Sequence, residues 1–241
     1  MKLLLVETKL HLREWPLLLF TLALPVALLV VLGLSVPDFT AVKQGERFVD
    51  TQWPTMMTLL SLLVLTCNVV PAVLTAYREQ GVLRRMSTTP MHPGRLLGVQ
   101  LLVNLGVGAL STVILIVTGA VVFGSSAPRQ WAGFILVFLL GSAALMALGL
   151  VIAAVAPNGK VAPGIGSAVM FPLMLLAGMW VPRDVMPDAL RTISDYSVAG
   201  PFAQALRDTW AGHAPQLFHL VVVAVGLVVF GGLAIRLFRW E

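Results

Sequence analysis

Six apolar runs, each about twenty residues long, limit what this chain can fold into. A helix of that length spans the roughly 30 Å hydrocarbon layer of a bilayer, and it satisfies its own backbone hydrogen bonds there. Only 11% of the residues are charged, whereas soluble domains carry about 25%. The sequence therefore predicts an all-α polytopic membrane protein with a single transmembrane domain over residues 1–241. The predicted spans are 17–36, 55–76, 96–123, 131–155, 161–181 and 216–235.

The charged residues are divided unevenly between the two sides that six spans create. Ten of the sixteen Lys and Arg residues fall on the side of the termini, and seven of the eleven acidic residues fall on the other side. Because basic loops stay in the cytoplasm, both termini are predicted to be cytoplasmic. This bias explains the pI near 10.0, so no nucleic-acid partner is expected. Residues 1–15 alternate charge with leucine, which predicts an amphipathic helix lying on the bilayer surface.

A charged island, residues 77–97, separates the second and third apolar runs. It predicts a short helix at 78–86, which Thr89-Pro90 and the following His-Pro-Gly then end, because proline cannot continue a helix. A short basic helix between two spans cannot lie in lipid, so it must rest on the membrane surface or dock on a partner. Basic residues at this place could also serve only to fix topology or to meet anionic lipid.

Three kinds of chemistry are disfavoured by the sequence. All acidic residues lie in loops or termini, so the sequence disfavours an ion-coupled carrier but does not exclude one. No glycine-rich phosphate loop is present, so ATP would have to be bound by another subunit. An intramembrane serine protease would pair Ser167 with His213 or His219, which are predicted at opposite ends of the membrane. No catalytic residue, metal ligand or cofactor is therefore expected in this chain.

A few residues inside the spans could serve either packing or transport. Asn68 and Asn104 are each predicted roughly 12 Å deep, where they could bond across helices or face a substrate path. A flexible apolar stripe could pack in the core or line the same path: Met170, Met174, Met179 and Trp180. Six glycines are predicted to allow close approach of helices: Gly106, Gly108, Gly141, Gly149, Gly164 and Gly166. The outer loop, residues 182–215, is predicted to hold short interfacial or re-entrant helices.

Two stretches of the chain resemble a known family. The first is YREQGVLRRM at 77–86, followed by Thr-Pro-Met at 89–91. The second is LLAGMWVP at 175–182, followed by Met-Pro at 186–187 and Gly-Pro-Phe at 200–202. In this order they resemble the permease subunit of type-2 ATP-binding-cassette (ABC) exporters, in the bacterial drug-resistance and natural-product branch. Arg78 departs from the pattern, because the family usually has an acidic or polar residue there.

The resemblance implies a complex of two permease chains, identical or related, with two ATPase subunits that bind ATP and Mg. It implies a cytoplasmic-membrane exporter of an amphiphilic drug, antibiotic or lipid-like molecule, with lipid-linked polysaccharide as an alternative cargo. The second and fifth spans would line the path. The implied ATPase-coupling residues are Arg78, Glu79, Gly81, Leu83, Arg84, Arg85, Thr89 and Pro90. The implied outer gate comprises Gly178, Pro182, Pro187 and Pro201.

Overall fold

The structure is a computed structural model that describes residues 15–36, 42–43, 46–81 and 94–237. Most of these residues are helical, and a two-residue antiparallel strand pair, β1 (Val42–Lys43) and β2 (Glu46–Arg47), interrupts the first loop. The prediction of an all-α class is confirmed apart from that pair. The helices are α1 (Trp15–Ser35), α2 (Gln52–Glu79), α3 (Gly94–Phe123), α4 (Trp131–Val155), α5 (Ala162–Leu176), α6 (Asp188–Tyr196), α7 (Ala199–Ala211) and α8 (Leu217–Leu237).

Four of these helices are long and apolar enough to cross a membrane, namely α2, α3, α4 and α8. Two further apolar helices are shorter, over Thr21–Ser35 within α1 and over α5. Helix α5 ends at Leu176, five residues before the predicted end of the fifth span. It ends there because Gly178 adopts a left-handed backbone with φ of 83°, and Gly178 and Met179 donate their N–H groups back to the last turn. Six spans therefore stay a prediction.

Helix α2 lies at the centre of the described bundle. It contacts α1, α3, α4, α5 and α7, and all its residues from Trp53 to Cys67 are buried. A hydroxyl group on this helix bonds across the bundle: Ser61 Oγ lies 2.7 Å from Ser111 Oγ on α3 and 3.4 Å from the Thr21 carbonyl on α1. By contrast, α3 and α8 leave most of their residues half-buried or exposed. The apolar surface that faces lipid thus belongs to the outer helices.

Large aromatic side chains and one arginine hold the end of the bundle where α3 stops and α4 starts. Phe134 packs edge-to-face on Trp210 with ring centroids 5.2 Å apart, and Phe202 is fully buried against Gly141. Arg47 pairs with Asp50 through two nitrogens at 2.8 and 2.9 Å. The same guanidinium donates to the carbonyls at the end of α3, which ties the first loop to that helix.

Candidate functional site

The charged end of α2 is the first part of the candidate site. Arg78 and Glu79 occupy the last turn of α2, and Gln80 and Gly81 form a turn in which Gly81 has φ of 66°. The short helix predicted at 78–86 therefore has its first two residues inside the preceding helix. The other residues assigned to coupling lie outside the described part of the chain: Leu83, Arg84, Arg85, Thr89 and Pro90. The predicted amphipathic helix at 1–15 also lies outside it, except for Trp15, which begins α1.

Both charged residues at the end of α2 bind the turn between α4 and α5. The Arg78 guanidinium donates to the carbonyl oxygens of Ala156 and, at 3.1 Å, Pro157. The Glu79 carboxylate accepts the N–H of Gly159 at 3.0 Å. Sequence reasoning missed this contact, because the partners are about eighty positions apart in the chain and nothing local links them.

The middle of α2 carries a π-helical segment, Leu65–Val69, in which the Val70 N–H reaches back to the Leu65 carbonyl. Such segments insert one extra residue into a helix and often occur at functional sites. Helices α4 and α5 approach this segment through glycines. A Cβ on Gly149 would overlap the Thr66 carbonyl, and a Cβ on Gly166 would overlap the Cys67 carbonyl. The three helices therefore meet backbone to backbone at this point.

Asn68 lies at the end of this contact and faces α5. Its Oδ1 accepts the Ser167 hydroxyl at 3.0 Å, and its Nδ2 lies 3.6 Å from the Met170 sulfur. Between Trp53 and Thr75, Asn68 and Ala72 are the only two positions of α2 that are not buried. The Ser167 hydroxyl is thus bonded to Asn68, which disfavours its use as a protease nucleophile. The sequence did not indicate that Ser167 would bond to Asn68 between α5 and α2.

The other residues considered for a substrate path fall into two groups. Asn104 is buried and donates to the Gln100 carbonyl at 2.8 Å on its own helix. Asn68 and Asn104 therefore bond to different partners. Met174 is buried in the core, and Met179 is partly buried against it. Trp180 is exposed and stacks on Phe171 at 6.5 Å. Among these residues, only Met170 shares the immediate surroundings of Asn68.

The four residues assigned to an outer gate surround the segment between α5 and α7. Gly178 forms the turn that ends α5, and Pro182 and Pro187 precede the short 3₁₀ helix (Arg183–Val185) and α6 respectively. Pro201 is buried in the first turn of α7. Several contacts hold the segment together: for example, Arg183 pairs with Asp195, and the Ser194 hydroxyl donates to the Leu176 carbonyl at 2.6 Å. The gating role of these four residues stays a prediction.

A half-buried carboxylate near the start of α8 was not singled out from the sequence. Asp208 on α7 lies 3.8 Å from the Nδ1 atom of His219. Burial raises the pKa of Asp208 above its ordinary value, and nearby His219 partly opposes this shift. The described residues include no group of three His, Cys, Asp or Glu side chains that could hold a metal ion.

Two apolar grooves flank α3, with volumes of about 400 and 450 Å³. They share Leu102, Leu105 and Leu139, and one of them extends to α8. Thr112, a polar side chain in the wall of the groove of about 450 Å³, donates to the Gly108 carbonyl at 2.9 Å on its own helix. The lining of these grooves does not include Asn68 or Ser167, so they are separate from the polar contact at the middle of α2.

Comparison with known proteins places this arrangement in a family. The Bacillus subtilis (strain 168) protein named "Putative transport permease YvfS" is 24% identical over 229 residues, which covers 93% of this chain and 90% of that protein. The family described as ABC-2 type transporter matches residues 2–211. That match includes the charged island, the buried helix α2 and the segment after α5 as far as the end of α7. This chain is therefore an integral membrane protein that belongs to the ABC-2 type transporter family.

Proposed function

We propose that this chain is the permease subunit of an ABC exporter in the bacterial cytoplasmic membrane. It moves an amphiphilic molecule, such as a drug, an antibiotic or a lipid-like compound, outward with energy from ATP that a separate ATPase subunit binds with Mg. The observation that carries this proposal is α2, a buried central helix that touches five others and whose last two residues, Arg78 and Glu79, belong to the charged island. A displacement applied at that island reaches the whole bundle through this helix.

The proposed topology has six spans with both termini in the cytoplasm. Helix α1 has 21 residues, which extend about 32 Å at 1.5 Å per residue and suffice to cross the hydrocarbon layer. Helix α5 has 15 residues, about 22 Å, and the segment after Leu176 completes the crossing. The excess of basic residues on the side of the termini supports this orientation.

The proposed assembly pairs two permease chains, and their shared face forms the substrate path. The half-buried Asn68 and Ala72 interrupt the otherwise buried stretch from Trp53 to Thr75, and Gly164 and Ala168 of α5 are exposed. A carboxamide at this depth is costly to expose to lipid, so a second permease chain covering this face would lower its energy. The uncharged surroundings of Asn68, including Met170, suit an amphiphilic cargo.

The experiment that tests the proposal starts from the permease in its native membranes. The tagged full-length chain, extracted in mild detergent, is expected to co-purify with an ABC ATPase identified by mass spectrometry. Arg85→Ala should weaken that association or the permease-dependent ATP hydrolysis, because the proposal places Arg85 against the ATPase. Arg129→Ala, an exposed arginine on the predicted outer side, is the matched control and should change neither. Transport by the purified permease alone, driven by an ion gradient in liposomes, would refute the proposal.

A further inference from the structure

The two last charged residues of α2 are matched to the turn that joins α4 and α5. A helix leaves unpaired carbonyl groups at its C-terminus and unpaired N–H groups at its N-terminus, with partial negative and positive charge respectively. Arg78 donates to the carbonyls of Ala156 and Pro157, which follow the end of α4. Glu79 accepts from Gly159, three residues before α5 begins. Each charge therefore meets the end of the helix that favours it.

The same turn lies directly on the backbone of α2. A Cβ built on Gly159 would be 3.5 Å from the Thr75 hydroxyl oxygen and 3.8 Å from the Ala76 nitrogen. The turn is also held in shape by Asn158, whose side-chain oxygen accepts the N–H groups of Lys160 and Val161 at 3.1 and 2.9 Å. A small, internally bonded turn transmits displacement better than a loose loop, because few of its dihedral angles are free.

Helix α5 is consequently attached to α2 at two points. One is the charged contact at the end of α2, and the other is the contact of Gly166 with the Cys67 carbonyl, where Ser167 also bonds to Asn68. Two attachments along one helix pair prevent α5 from rotating independently of α2. Movement at the end of α2 must therefore displace α5.

We propose that Arg78 and Glu79 are positioning residues that transfer motion from the charged island to α5 through the turn at Ala156–Gly159, rather than residues that bind the ATPase. This inference rests on the proposed function, because it assumes that an ATPase acts on the island. In this arrangement the ATPase binds the charged island beyond Gly81. The contact of Arg78 and Glu79 with the turn at Ala156–Gly159 then transmits the motion within the permease. Loss of the contact uncouples ATPase binding from the movement of α5.

The test measures ATPase association and permease-dependent ATP hydrolysis separately, with the ATPase that co-purifies from native membranes. Glu79→Ala should leave association unchanged and lower permease-dependent hydrolysis about fivefold, the effect of losing one hydrogen bond of ordinary net strength. Arg47→Ala is the matched control: it removes an arginine that binds the carbonyls at the end of α3, so it should leave both quantities unchanged.

A disulfide then replaces the lost contact. The Thr75 oxygen lies 3.5 Å from the Cβ position of Gly159, so Thr75→Cys with Gly159→Cys places two sulfurs within bonding geometry. In the Glu79→Ala background, oxidation of this pair should restore hydrolysis, and reduction should return it to the lowered rate. A residue that binds the ATPase directly could not be replaced in this way.

Three outcomes overturn the inference. Loss of ATPase association in Glu79→Ala would mean that this residue contacts the ATPase, and normal hydrolysis in that variant would mean that the contact transmits nothing. Failure of the oxidised cysteine pair to restore hydrolysis would exclude a mechanical role. Failure of the wild-type chain to bind any ATPase is a different result, because it refutes the proposed function and removes the basis of this inference with it.

Discussion

Replacing Gly166 by alanine should destabilise the bundle, because the added Cβ would overlap a backbone carbonyl on α2. That carbonyl belongs to Cys67 in the π-helical segment and cannot rotate away as a side chain can. Overfilling a packed interior typically costs about 1–3 kcal/mol, and a backbone obstacle places this case in the upper part of that range. Gly164→Ala is the matched control, since it lies two residues away on the same helix with nothing within 4 Å of its Cβ position.

The comparison between these two variants isolates the overlap. Both gain the same helix propensity, about 1 kcal/mol in favour of alanine, so this contribution cancels. An overlap of about 2–3 kcal/mol lowers the melting temperature by about 4–12 °C for a chain of this length. Cys67 is the single cysteine and is buried in the contact, so a thiol-reactive fluorogenic dye reports its exposure during a thermal ramp in detergent. Equal melting temperatures for the two alanine variants would refute the argument.

Three further predictions concern individual contacts. Ser167→Ala removes the hydrogen bond to Asn68 and should cost about 0.6 kcal/mol, so the melting temperature should fall by less than about 3 °C; a larger loss would mean that the site tolerates no unpaired carboxamide. Burial raises the pKa of Asp208, so the folded state retains a proton that the unfolded state releases, and stability falls as pH rises above about 4. Asp208→Asn should therefore melt higher than wild type at pH 7 and equally below about pH 4, and an advantage that persists in acid would contradict this cause. Gly212→Ala should cost about 1–2 kcal/mol, because Gly212 has φ of 95° at the end of α7, and an unchanged melting curve would show that the turn can relax.

The positions of the long helices could be predicted because hydropathy alone determines them. Helix α4, for example, begins at Trp131 and ends at Val155, where the apolar run begins and ends. Helix α5 ends before the predicted fifth span does, because Met179 to Val181 are apolar but follow the turn that Gly178 forms. Apolar composition cannot distinguish a helix from an irregular segment that lies against one.

The contacts that make up the candidate site could not be predicted, because they depend on tertiary packing. Gly149 and Gly166 meet backbone carbonyls, whereas Gly106 and Gly164 have open space around them, although all four were predicted to allow close approach. The sequence gives no sign of this difference. The contact of Glu79 with Gly159 likewise joins two segments that hydropathy treats as separate loops. Asn68 was recognised as unusual, but its partner on α5 was not.

The central position of α2 has a consequence for biosynthesis. This helix is the second of the described helices to leave the ribosome, yet α4, α5 and α7, which cover much of its surface, are made between about fifty and one hundred and thirty residues later. Until α4 and α5 are made, the backbone of α2 at Thr66 and Cys67, which Gly149 and Gly166 contact in the finished bundle, faces lipid or transient neighbours. Helix α2 thus enters the membrane early but is fully packed only late. A ribosome stalled before α5 would leave part of the surface of α2 uncovered.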